Sequence, residues 1–139
     1  MKLDYSALEK AMAQLEKSLA YLDSEMSRDD PELRMQFRAA SIQAFGYTYE
    51  LAVKMIRRQL EQIVFNPAEL REMAFMDLIR SASEAGLVKD VLAYKVFREK
   101  RNITSHTYDD DKAEYVLSGI DVFIDNTRFL LRELKRRNA

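Results

Sequence analysis

The single histidine of this chain, His106, lies in a polar segment, and Arg101 precedes it by five positions. An imidazole transfers protons at neutral pH, and a guanidinium holds phosphate oxygens in a forked contact and stabilises charge that develops on them. Cleaving RNA through its own 2′-hydroxyl requires these two abilities and no metal. Because an offset of five does not stack two side chains on one helical face, the two residues converge only if a helix ends between them, which Thr104 and Ser105 permit.

Such a cleavage also benefits from a general base and a general acid, whereas one chain supplies one histidine. A symmetric dimer that brings two copies of the segment together would supply both. A structural alternative is that Arg101 pairs with the carboxylates of 109–111 and that His106 caps the turn. Judged on residue types alone, this alternative is the stronger, because isolated arginine and histidine residues are common.

The composition predicts a helical protein with one domain over 1–139. Hydrophobic residues make up 47% and charged residues 32%, whereas Gly 3 and Pro 2 leave few turn formers. Cysteine is absent, which excludes disulfides, thiol catalysis and zinc–cysteine sites. The net charge of -1 demands neither a nucleic acid nor a membrane surface as a partner.

Targeting and cofactor motifs are missing from the sequence. No apolar run has membrane-spanning length and the polar N-terminus does not resemble a signal peptide, so we expect a cytoplasmic protein without a membrane partner. There is no phosphate-binding glycine loop and no dinucleotide fingerprint. We therefore expect no cofactor and no nucleotidyltransferase activity in this chain itself.

The elements that must position Arg101 and His106 are helices, because apolar residues recur at steps of three and four. Asp30 before Pro31 is typical of a helix start, and the long helix that follows contains Gly46 and has an apolar face wide enough for other helices or a second subunit. The predicted helices run from about Ser6 to a break at 27–31, from Pro31 to about Val64, over 67–85, from about Asp90 to the region of Arg101, and after Asp111. This pattern predicts an all-α fold, an antiparallel four-helix bundle with a short extra helix.

Two motifs resemble a known family. The pattern Arg101-x4-His106-x-Tyr108 is similar to the Arg-x4-His-x-Tyr signature of HEPN proteins that are paired with minimal nucleotidyltransferases (MNT). Residues 101–109 resemble the "RNxTSHTYD" of the branch called nucleotidyltransferase substrate-binding proteins, and residues 43–54 resemble its "QAFEFTYELAWK". The order of the two motifs and the predicted helices agree with that branch along nearly the whole chain.

The resemblance implies a homodimeric helical bundle whose partner is an MNT nucleotidyltransferase. Toxin members of the family are metal-independent endoribonucleases, so it implies RNA as the substrate, Arg101 and His106 as catalytic residues and Asn102 as a supporting polar group. It further implies a toxin-antitoxin pair in which the MNT partner transfers AMP to Tyr108 and silences the toxin. A bulky anion there would block phosphate entry and occupy the guanidinium.

The same resemblance leaves an alternative open, since one branch is named for substrate binding. In that case the chain is a non-catalytic subunit that holds substrate or nucleotide for an MNT enzyme, and Arg101 and His106 bind an anion. A third hypothesis is a purely structural helical dimer. The intact motif favours the nuclease.

Several positions depart from the family or have a structural interpretation. Gly46 replaces the family's glutamate and Val53 its tryptophan, which we interpret as packing changes. For Tyr47, Tyr49 and Tyr94, core packing with a bonded hydroxyl is favoured over stacking on a base. The run 109–111 is typical of a solvated helix cap more than of a magnesium site, and the basic cluster at 128–137 of a helix end more than of an RNA contact.

Overall fold

The computed structural model describes residues 2–64 and 66–139, and within those ranges the regular elements are helices, with no strand. A short 3-10 turn, Thr104–His106, lies between two of the helices. The helices are α1 (Ser6–Leu22), α2 (Glu25–Asp29), α3 (Pro31–Glu61), α4 (Pro67–Glu72), α5 (Phe75–Glu84), α6 (Val91–Asn102), α7 (Asp110–Leu117) and α8 (Ile120–Arg137). The all-α prediction is confirmed.

The long helix α3 begins where the sequence predicts. The Asp30 side chain accepts hydrogen bonds from the backbone N–H groups of Glu32 and Leu33, and Pro31 occupies the first turn, where its missing N–H costs nothing. Asp90 caps α6 in the same way by accepting from the N–H of Ala93. Both helices that carry the site therefore start at side chains that satisfy free backbone donors.

Three local predictions are wrong. The extra helix over 67–85 is two helices, because Met73 and Ala74 have extended backbones between α4 and α5. The last helix is divided at Gly119, whose φ of +63 lies in the left-handed region that glycine adopts without strain. The first helix ends at Leu22, before the predicted break at 27–31, and a separate short helix, α2, capped by Ser24, extends into that break.

The long helices form an up-and-down bundle. Helix α1 runs antiparallel to α3, since Tyr21 at the end of α1 stacks on Phe37 near the start of α3, with ring centroids 5.4 Å apart. It also runs antiparallel to α8, because Glu9 near its start pairs with Lys135 near the end of α8, with 2.7 Å between the charged atoms. Helix α6 packs against α3 and α8.

Three phenylalanines fix the register of α3, α6 and α8. The Phe123 ring lies edge-on to Phe45 at 4.8 Å and to Phe97 at 5.0 Å between centroids, and all three are buried. Edge-to-face contacts of this kind stabilise beyond the area they bury. Since Gly46 follows Phe45 and Arg101 lies one turn beyond Phe97, this contact sets where the Arg101 side chain meets α3.

Candidate functional site

Arg101 lies in the last turn of α6 and reaches across to α3. One terminal nitrogen donates to Thr104 Oγ1 at 2.9 Å, and the other forms an ion pair with Glu50. Thr104 Oγ1 in turn donates to the Arg101 carbonyl oxygen at 2.8 Å. Thr104 therefore satisfies a carbonyl at the end of the helix and orients the guanidinium with the same atom.

The absence of a side chain at Gly46 gives Arg101 its space. A Cβ added at Gly46 would lie 3.3 Å from both Cδ and Nε of Arg101, which is tighter than nearly all real contacts of that kind. The Arg101 Nε is buried there and has no hydrogen-bond partner within the described part of the chain. The arginine stem thus packs directly on the backbone of α3.

The guanidinium of Arg101 retains unused donors. An arginine has five N–H donors, of which the contacts with Thr104 and Glu50 use two and the buried Nε holds one. Among the described residues, no partner takes the second N–H of either terminal nitrogen, and the side chain is 35% exposed. A pair of donors on adjacent nitrogens matches two oxygens of a phosphate.

Arg101 forms part of the wall of an open cavity of about 700 Å³ between α1, α3 and the segment after α6. This volume lies in the usual range for small-molecule sites, roughly 300–1,000 Å³. Besides Arg101, the polar lining includes side chains of Gln14 and Ser18 from α1, Gln43, Tyr47 and Glu50 from α3, and Thr104, Ser105 and Thr107.

His106 and Tyr108 lie together, but outside that lining. The helix does end between Arg101 and His106, as convergence required, and His106 is the last residue of the 3-10 turn. Its exposed ring lies edge-on to Tyr108, with centroids 6.1 Å apart, and Tyr108 is 83% exposed. Ser105 and Thr107 line the cavity while His106 between them does not. One chain therefore presents Arg101 inside the cavity and His106 at the surface beside it.

The polar residues next to the motif lie at the ends of α6 and α7. Asn102 is exposed at the end of α6. Asp109 caps α7 by accepting from two backbone N–H groups, which agrees with the interpretation of 109–111 as a cap. Asp110 pairs with Arg38 at 2.7 Å, so Arg101 does not find its carboxylate in this run. It finds Glu50 instead.

Arg38 ties the segment after the motif to α3. It is 7% exposed, and besides Asp110 it contacts Glu114 Oε1 at 3.3 Å. The hydrogen bond with Asp110 raises the pKa of Arg38 above its ordinary value, so the guanidinium stays charged. Arg38 thereby anchors the start of α7, which follows His106 and Tyr108 directly.

The three tyrosines that the sequence assigned to the core differ in position. Tyr94 is buried and its hydroxyl has no partner within the described residues, so the expected bonded hydroxyl is wrong. Burial raises the pKa of Tyr49 to about 12, an effect that the nearby Arg98 and Arg101 oppose. Tyr47 is 60% exposed and lines the cavity, so its assignment to the core is also wrong.

Sequence reasoning did not single out Glu50, Thr104 or the space at Gly46. A signal for all three was present, since Gly46 and Glu50 lie within the motif at 43–54 and Thr104 within the motif at 101–109. What the sequence could not supply was the pairing of these two motifs across α3 and α6.

Comparison with known proteins identifies the family. A model of the family described as nucleotidyltransferase substrate binding protein like matches residues 3–136. The chain belongs to this family. The resemblance inferred from the two motifs is therefore confirmed.

A named relative and a solved structure are similar to the chain. A protein of Haemophilus influenzae named "Probable ribonuclease HepT" is 43% identical over 100 residues, which cover 72% of this chain and 68% of that protein. A solved structure from the same organism is described as revealing the fold of a substrate binding domain of a nucleotidyltransferase. It matches with a TM-score of 0.90 and 34% identity, and covers 95% of this chain and 99% of its own.

Among the described residues, no helix is both long enough and apolar enough to cross a bilayer.

Proposed function

We propose that this chain is a HEPN-type endoribonuclease that cleaves RNA without a metal. The observation that carries the proposal is the state of Arg101, which is held by Glu50 and Thr104 yet keeps an N–H on each terminal nitrogen, at the wall of an open cavity. A guanidinium held in this way needs no reorganisation to meet a phosphate whose charge increases during reaction.

In the proposed reaction, the 2′-oxygen attacks the adjacent phosphorus and the bond to the 5′-oxygen of the next nucleotide breaks. One His106 removes the 2′-hydroxyl proton, and a second His106 donates a proton to the leaving 5′-oxygen. Arg101 stabilises the negative charge on the nonbridging oxygens. The products are a 2′,3′-cyclic phosphate and a 5′-hydroxyl. Asn102, exposed at the helix end, is the supporting polar group.

This reaction requires a homodimer, because each chain has one histidine. The exposed position of His106, outside the lining of its own cavity, suits a site completed by a second copy. The specific activity should therefore fall when the protein is diluted below its dimer dissociation constant, with the mass of the species followed by light scattering. Activity per chain that stays constant in a monomeric sample would contradict the shared site.

Regulation follows from the position of Tyr108. Its hydroxyl group lies on a side chain that is 83% exposed, and its ring lies beside His106. We propose that an MNT nucleotidyltransferase transfers AMP from a nucleoside triphosphate to this hydroxyl, releasing pyrophosphate, and that the protein acts as the toxin of such a pair in the cytoplasm. The added phosphate would compete with RNA for Arg101.

The deciding experiment is RNA cleavage by the purified protein in EDTA, beside the His106→Ala variant, after mass spectrometry has shown that no AMP is attached. We expect the parent to leave 2′,3′-cyclic phosphate ends and His106→Ala to leave the RNA intact. Equal activity in the two samples would point to a contaminating nuclease and remove the support for His106.

A second candidate function is supported by the solved relative that covers 95% of this chain and is described as a substrate binding domain of a nucleotidyltransferase. In this case the cavity beside Arg101 holds a nucleotide for a separate enzyme. An unmodified parent that does not cleave RNA, yet loses nucleotide or MNT binding on Arg101→Ala, would favour this function over the nuclease.

A further inference from the structure

We propose that Tyr47 forms the stacking surface of a nucleobase subsite next to Arg101, so that the cavity binds one base of the RNA as well as its phosphate. This proposal rests on the proposed function for the identity of the ligand. Its evidence is separate, and comes from the exposure of Tyr47, its spacing on α3 and the polar groups around it.

Tyr47 differs from the other two tyrosines that the sequence assigned to the core. It is 60% exposed, whereas Tyr49 is 7% and Tyr94 is 1% exposed. A single exposed aromatic residue is ordinary on a protein surface. Tyr47 is distinguished by its place, since it lies in the lining of the same cavity as Arg101.

The spacing on α3 puts Tyr47 beside Glu50, the carboxylate that holds the guanidinium. Tyr47 and Glu50 are three positions apart on the helix, so their Cβ atoms are neighbours at roughly 5–6 Å. Glu50 holds a terminal nitrogen of Arg101. A phosphate bound to Arg101 would therefore have its own or the adjacent base within reach of the Tyr47 ring.

The remaining lining suits a base rather than a purely apolar group. Gln43, one turn before Tyr47, and Gln14 from α1 both line the cavity. Each carboxamide offers donors and an acceptor, as the edges of bases do. Stacking on an aromatic face tolerates any base, while the amides would supply a preference among bases.

The chain contains no tryptophan, so a tryptophan introduced at this position reports on it alone. The experiment uses the full-length variant Tyr47→Trp and a short 2′-O-methyl RNA, which cannot be cleaved because its 2′-oxygens are blocked. A matched abasic oligonucleotide has the same phosphates and no bases. Leu92→Trp, at a residue of α6 that is 71% exposed and outside the cavity lining, serves as the control.

We expect the base-containing RNA to quench the fluorescence of Tyr47→Trp, the abasic RNA to leave it nearly unchanged, and Leu92→Trp to respond to neither. Equal responses to the two RNAs would overturn the proposal, because the contact would then be with phosphate alone. An emission that shifts to the blue with rising protein concentration, before RNA is added, would also overturn it by placing Tyr47 in an interface between two copies.

Binding of the 2′-O-methyl RNA by variants without tryptophan completes the test. Tyr47→Ala should weaken binding by roughly tenfold, and Tyr47→Phe, which keeps the ring, should recover most of that loss. Unchanged binding in Tyr47→Ala would contradict the subsite. Because binding is measured without cleavage, a parent that stacks a base but does not cut RNA would refute the nuclease and leave the base subsite supported.

Discussion

Two arginines lie at contacts of α3 with other helices, and they differ in how much of each side chain is exposed to solvent. Arg38 is 7% exposed and its guanidinium meets Asp110 and Glu114 of α7. The Arg101 side chain is 35% exposed, meets one carboxylate and one hydroxyl, and borders a cavity. Each uses two N–H donors within the chain, so the count of hydrogen bonds does not distinguish them.

Exposure and the adjoining space distinguish them instead. Arg38 joins two helices and is almost fully buried, so its charge serves the fold. The ion pair of Arg101 with Glu50 is open to water, which limits its contribution to stability. The same side chain type thus stabilises the structure in one place and remains available for chemistry in the other. Identical substitutions at the two positions test this difference.

The largest expected effect is the loss of cleavage in Arg101→Met. Methionine keeps an apolar stem against Gly46 and removes the guanidinium. We expect kcat for RNA cleavage to fall by about 10²–10³, the usual result of removing one donor that stabilises transition-state charge. The free energy of unfolding should change by no more than about 0.5 kcal/mol, because Glu50 remains exposed to water. Kinetics and urea unfolding on the same sample measure both quantities.

Arg38→Met should give the opposite result. Its loss removes two charge-assisted hydrogen bonds at the joint between α3 and α7, but Asp110 and Glu114 stay in water, so we expect the free energy of unfolding to fall by about 1 kcal/mol. Cleavage by the folded fraction should stay near the parent rate at low temperature. If Arg38→Met abolishes cleavage while the protein stays folded and stable, the separation between the two arginines is wrong.

A glycine substitution sharpens the comparison at the Arg101 end. Gly46→Ala should raise the melting temperature by a few degrees, because alanine suits a helix interior better than glycine. It should also lower cleavage by roughly tenfold, because the new methyl group at 3.3 Å from Cδ and Nε forces Arg101 to shift. A more stable and less active variant would show that Gly46 serves the site and not the helix.

The control for this variant is Gly119→Ala. Gly119 has a φ of +63 and no atom within 4 Å of an added Cβ, so only backbone strain changes. We expect a loss of about 1 kcal/mol in stability and no loss of cleavage, with thermal unfolding and single-turnover rates compared side by side. If the Gly46→Ala variant cleaves RNA as fast as the parent, the proposed role of the space at Gly46 is wrong.

The two glycines also show what a sequence can and cannot predict. Helix starts at Asp30 and Asp90 follow from local chemistry, so the sequence predicts them correctly. The break at Gly119 was missed because a glycine inside an apolar pattern is compatible with a continuous helix. Gly46 was interpreted as a packing change, and its contact with Arg101 was not predicted, because Arg101 lies 55 residues further along the chain and only packing brings the two together.

For the candidate site, as for the helices, the sequence indicates local features and not the contacts between distant residues. The motif marks the segment from Arg101 to Tyr108 because those residues are local in sequence, and the catalytic roles assigned to them stay a prediction. Glu50 was not foreseen as the partner of Arg101, and 109–111 was considered instead, because three adjacent carboxylates close in sequence are the simplest candidates. The exposure of Tyr47 and the burial of Tyr49 depend on which side of α3 meets α6, which spacing alone does not settle.

The smallest expected effect concerns Tyr49, a buried residue of α3 two positions after the exposed Tyr47. Tyr49 has a pKa of about 12 in the folded protein because it is buried, against about 10 in an unfolded chain. Between these values the unfolded state has released the proton and the folded state retains it, so stability decreases as the pH rises from 10 towards 12. Tyr49→Phe has no such proton. In urea unfolding at pH 8 and pH 11, the parent should lose about 1 kcal/mol more than Tyr49→Phe. Equal losses would mean that water reaches Tyr49, and that the interior and the cavity are not separated at this turn of the helix.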